Sequence, residues 1–104
     1  MNIIIGKEGC GKTTLLIVRA AAENLYILTT DQYRAGHIAK LAKRMGYDIP
    51  YPVTVNEFFC SNKFVRSSIR RDGILIDDAD DVLKTIFDGI QIKDITITDN
   101  DEIG

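Results

Sequence analysis

Gly6-Lys7-Glu8-Gly9-Cys10-Gly11-Lys12-Thr13 lies between an apolar run, Ile3-Ile4-Ile5, and a segment with helical spacing, Thr14-Leu15-Leu16-Ile17-Val18-Arg19-Ala20-Ala21-Ala22. The eight residues fit the pattern G-x-x-x-x-G-K-[ST], and strand, glycine loop, helix is the context in which that pattern cradles phosphate. Gly6, Gly9 and Gly11 can take backbone angles closed to other residues, so successive amides can turn inward around an anion. The helix beginning near Gly11 adds unpaired N–H groups and the positive end of its dipole. Lys12 is then placed to reach the outer phosphates of a nucleotide, with Cys10 and Thr14 completing the loop's lining. The Thr13 hydroxyl suits Mg²⁺, which keeps most of its waters and shares the phosphate oxygens. The bland alternative is a glycine turn that packs a helix on a strand.

A second segment sharpens this reading. Gly73-Ile74-Leu75-Ile76-Asp77-Asp78 is a short apolar run, suited to a strand buried on both faces, that ends in two carboxylates. It looks like a Walker B strand, in which Asp77 holds Mg²⁺ through water and Asp78 orients or deprotonates the attacking water. The other reading makes the acids a helix N-terminus, because Asp80 and Asp81 follow and the dipole favours them there.

Composition agrees with one domain. A chain of 104 residues, 45% hydrophobic and 27% charged, can bury one core but not two, and stands near the lower limit for a five-stranded α/β sheet. Cys10 and Cys60 have neither metal nor disulfide spacing, which fits a reducing cytoplasm; Cys10 reads as a variable loop position, with redox sensing as the alternative. No signal peptide or membrane span is visible, so a soluble cytoplasmic protein without a membrane partner is expected. With 13 basic and 15 acidic side chains, net charge −2, no global signal points to nucleic acid.

Strand and helix patterns alternate along the rest of the chain. Leu25-Tyr26-Ile27-Leu28-Thr29 reads as a second strand. Residues 32–45 form a helix with Ala35, Ile38, Ala39, Ala42 and Met45 on one face, Thr30 or Asp31 as cap and Gly46 as terminator. Residues 51–55 suggest a third strand, and Asn56 is placed to cap a segment that turns Phe58, Phe59, Phe64, Val65 and Ile69 inward. The fourth strand ends at Asp77; a helix over about residues 80–87, closed by Gly89, leads to a fifth, residues 94–98. This rhythm predicts a three-layer α/β fold with the site along the carboxyl edge of a mostly parallel sheet.

With those positions fixed, the chain resembles the first RecA-like domain of superfamily 1 helicases. Leu28-Thr29-Thr30 is similar to the family's Thr-rich turn, and Val53-Thr54-Val55-Asn56-Glu57-Phe58-Phe59 to its Thr-x-His-x-Phe segment, with Asn56 where His is common. Ile74-Leu75-Ile76-Asp77-Asp78-Ala79-Asp80-Asp81 resembles apolar-Asp-Glu-Ala-Gln-Asp, with Asp78 for Glu and Asp80 for Gln. Ile97-Thr98-Asp99-Asn100-Asp101-Glu102-Ile103 is similar to Gly-Asp-x-x-Gln-Ser, with Glu102 in place of the phosphate-sensing Gln.

The resemblance implies a five-stranded sheet in the order 5-1-4-3-2 and a reaction that takes ATP to ADP and phosphate with Mg²⁺. Thr98 or Asp99 would sense the phosphate. It also implies single-strand contacts from Thr29, Thr30, Asn56 and Phe58, but the stronger reading makes Phe58 and Phe59 core residues and Thr30 and Asn56 caps. The family's second domain supplies arginines worth roughly 10³–10⁵ in rate in P-loop enzymes, so slow turnover is expected from this chain alone. A replication protein or a second copy could lend such an arginine; in a second copy Arg66, Arg70 or Arg71 is the candidate, with solubility as the plainer reading of all three. Arg34, Lys40, Lys43 and Arg44 read as a solvated helix face, and His37 as an exposed residue. Motifs without a second motor half suggest phage encoding. The competing classes are a non-catalytic nucleotide-dependent module and a small-molecule or nucleotide kinase.

Overall fold

Three short strands, β1 (Ile27–Thr29), β2 (Val53–Thr54) and β3 (Leu75–Ile76), lie parallel in the order β2-β1-β3. Leu28 stands opposite Val53 on one side and Ile76 on the other, and Ile27 opposite Leu75. The structure, a computed structural model, describes residues 1–7, 9, 11–60 and 63–98. Five helices accompany the strands among these residues: α1 (Lys12–Glu23), α2 (Gln32–Met45), α3 (Val55–Cys60), α4 (Lys63–Asp72) and α5 (Ala79–Ile86).

Strand alternation divides the core between two faces. Ile27 and Leu75 pack with Ile17 and Ala20 of α1 and Ile38 and Ala42 of α2. Leu28 and Val53 face the other way, against Val55 and Val82, with Phe58 and Val65 closing over them. Full burial of an Ile, Leu or Val side chain contributes about 1.5–3 kcal/mol, so these two clusters hold the helices to the strands.

Local chemistry sets the helix ends. Asp31, not Thr30, caps α2 by accepting the Arg34 amide at 2.9 Å, and Gly46, at φ 83°, ends it as expected. For α3 the cap is Thr54 rather than Asn56. Its hydroxyl accepts the Glu57 amide at 3.1 Å while the Glu57 carboxylate accepts the Thr54 amide at 3.0 Å, a reciprocal capping box.

The expected five-stranded sheet, order 5-1-4-3-2, is not the one observed. Residues 3–5 and 94–98 lie outside the sheet, with Ile5 89% and Ile95 59% exposed. The strand ending before Asp77 sits beside β1 instead of between a first and a third strand. β propensity reports how well a side chain suits a half-buried pleat; it does not supply a partner. A two-residue β3 offers few ladder bonds to offset the entropy of ordering another segment. Phe59 and Phe64 are also corrected: both are exposed, whereas Phe58, Val65 and Ile69 turn inward.

Candidate functional site

Parallel strands bring the helix starts to one edge. β1 runs into α2 and β3 into α5 at the carboxyl ends of the strands, and the first turn of α1 arrives at the same edge. The convergence is seen in side chains. The Thr13 hydroxyl donates to one oxygen of Asp77 at 2.9 Å, a bond between residues 64 apart in sequence. Asp77 is 4% exposed, so its carboxylate has lost most of its water and depends on such donors.

The loop before α1 has the shape expected of it in part. Gly9 and Gly11 adopt φ 79° and 91°, where a Cβ would meet no atom within 4 Å, so it is backbone conformation that calls for glycine. Gly6 contributes its carbonyl. The Lys12 ammonium donates to the Gly6 carbonyl and, at 3.1 Å, to that of Lys7, folding the loop over its own lysine. Gly11 caps α1 without a side-chain hydrogen bond, and no acid stands in the helix's first turn. Among the described residues, then, neither the cap nor the first turn gives the first amides of α1 a side-chain acceptor, which is the condition for anion binding.

Asp78 is the residue preceding α5, but its side chain makes no capping bond and its backbone is left-handed, φ 60° and ψ 67°. Its carboxylate instead reaches Arg34. One terminal nitrogen of that guanidinium lies 3.5 Å from Asp77 and 3.4 Å from Asp78. Burial by itself would lower the Arg34 pKa; Asp77 and Asp78, with Asp81 behind them, outweigh it and hold it above its ordinary value. Sequence reasoning placed Arg34 on a solvated face, and that is corrected here. The available signal was position: side chains lean toward a helix's N-terminus, so a long residue in the first turn of α2 can reach back over the sheet edge.

Thr29 adds a polar group without a partner. Its hydroxyl is fully buried and unbonded among the described residues. It stands two residues after Ile27, as Asp77 stands two after Leu75, and Ile27 and Leu75 are paired across the sheet in one cluster. Such a group costs about 1–3 kcal/mol until something bonds it. A hard cation takes oxygen ligands, and the Thr13 hydroxyl and the Asp77 carboxylate, already 2.9 Å apart, are the oxygen types that Mg²⁺ and its waters accept. Asp78, Asp80 and Asp81 bring carboxylate oxygens within 4.8 Å of one another nearby.

Of the remaining expected site residues, Thr14 is half-buried in α1, and Thr98 is exposed in the unpaired segment with no hydrogen bond to the site among the described residues. Cys10, Asp99 and Glu102 lie outside the described residues. Arg66 packs its guanidinium 5.9 Å from the Phe58 ring centre, while Arg71 pairs with Asp72 at 2.9 Å. No helix among the described residues is long and apolar enough to cross a membrane. No family model, curated protein or solved structure matches the chain.

Proposed function

We propose that the chain binds ATP with Mg²⁺ at residues 6–13 and hydrolyses it slowly to ADP and phosphate. The observation that carries this reading is the 2.9 Å bond from Thr13 to Asp77, which joins the last residue of a phosphate-loop motif to the acid ending an apolar strand. Lys12 exchanges the Gly6 and Lys7 carbonyls for phosphate oxygens, an exchange of neutral acceptors for charged ones that favours the bound state. The amides around Gly9 and Gly11 and the open start of α1 receive the rest of the phosphate chain. Thr13 and Asp77 hold the metal, and Asp78 orients the water. When bound, Mg²⁺ neutralises charge on the phosphates.

A second reading is favoured by one observation. Arg34 engages Asp78, the carboxylate meant for water, which suits a module that binds nucleotide without turning it over. Calorimetry of MgATP binding together with phosphate release separates the two. The parent protein is expected to bind and turn over, and Lys12→Ala to bind roughly tenfold to a hundredfold more weakly, from a charged hydrogen bond of about 1.5–3 kcal/mol. Binding with no turnover selects the module; no binding by the parent rejects both.

A further inference from the structure

A cation already sits between the two carboxylates. The Arg34 guanidinium spans Asp77 and Asp78 at 3.5 and 3.4 Å, while Thr13 holds Asp77's other oxygen. Charge-assisted bonds of this kind run to about 2.7–2.9 Å when tight, so Arg34 is held by charge more than by a fitted bond. Its side chain is 36% exposed, against 5% for Asp77, and Arg34 is not among the residues of either core cluster. Arg34 comes from α2, Asp77 from the end of β3 and Asp78 from the turn into α5, so the pairing depends on the fold and not on sequence neighbours.

We propose that Arg34 is the resident counter-ion of this site, and that a divalent cation reaches Asp77, beside Asp78, only by displacing it. Two positive groups cannot share one pair of carboxylates at this spacing without strong repulsion, because like charges a few ångströms apart in a partly buried site repel by several kcal/mol. Displacement leaves a guanidinium in need of an anion. A nucleotide's phosphates provide one, so metal and nucleotide bind more tightly together than singly, with Arg34 as the link between them. This consequence rests on the nucleotide reading above; the competition between Arg34 and the metal does not.

The test uses the full chain and Mn²⁺ alone, followed by the resonance signal of free Mn²⁺ in nucleotide-free buffer. Arg34→Gln is expected to bind Mn²⁺ about tenfold more tightly than the parent, within the range of ordinary site-to-site couplings, and Arg34→Gln with Asp77→Asn to lose that gain. Arg34→Met, which keeps the aliphatic stem, carries the same expectation should the glutamine variant fail to fold. Unchanged or weaker Mn²⁺ binding in the folded variant overturns the proposal, and so does a gain that survives Asp77→Asn. Titrating a fluorescent ATP analogue into the same samples separates the two readings. A Mn²⁺ gain without nucleotide binding supports Arg34's role and ends the nucleotide reading; nucleotide binding without the gain does the reverse.

Discussion

Asp78 takes a left-handed backbone conformation, φ 60° and ψ 67°, yet spends its side chain on Arg34 instead of capping α5. That conformation costs an L-residue about 1–2 kcal/mol, somewhat less for Asp, and glycine adopts it freely. Asp78 also shares a 4.8 Å neighbourhood with Asp80 and Asp81, a like-charge crowd with its own cost. Against these stands an ion pair whose side chains are 36% and 33% exposed, worth at most about 1 kcal/mol. Asp78→Gly should therefore stabilise the fold by about 1 kcal/mol in urea denaturation while lowering phosphate release. A destabilised glycine variant would show that the Arg34 contact outweighs the strain.

At the scale of elements, α2 ties the fold to the site. Asp31 caps it by accepting the amide of Arg34, the same residue whose side chain spans Asp77 and Asp78. Asp31→Ala is expected to cost about 1 kcal/mol in thermal or urea unfolding, and to quicken amide exchange in the first turn more than at Ala42. Equal exchange at both ends would mean that Arg34's ion pairs hold the turn without the cap. The bounds of this helix were legible in the sequence, because the Asp31 cap, the Ala35, Ile38, Ala42 stripe and Gly46 are all local signals. The meeting of Thr13 with Asp77 was legible as chemistry, since the sequence marks both as candidate ligands of one cation. Strand order was not. Residues 3–5 and 94–98 carry as much β propensity as the strands that form, and nothing in a single segment says which edge will accept it. Arg34 was missed because helical spacing sorts residues around the axis and is blind to a side chain reaching past the helix end.

For the whole molecule the core is small. Thirteen hydrophobic residues form the buried core among those described, while Ile5, Ile95 and Ile97 are more than half exposed and Ile3 and Ile4 partly so. A domain of this size is stable by a narrow margin, so any ligand that binds only the folded chain shifts its melting visibly. At about a hundred times Kd, binding adds about 2.7 kcal/mol, and each kcal/mol moves the Tm of a domain this size by about 4–8 °C. Saturating MgATP should thus raise Tm by roughly 10–20 °C. AMP, which lacks the phosphates that Lys12 reaches for, should raise it far less. Lys12→Ala, binding tenfold to a hundredfold more weakly, should cut the MgATP shift to roughly 2–10 °C at the same ligand concentration yet leave the unliganded Tm within a few degrees of the parent, because the lysine ties only the Gly6 and Lys7 carbonyls of an exposed loop. If AMP and MgATP shift the parent equally, the ligand is held by its nucleoside and the glycine loop is a turn. If MgATP shifts neither protein, the loop carries no phosphate, and the bond between Thr13 and Asp77 is a structural clasp between α1 and the end of β3.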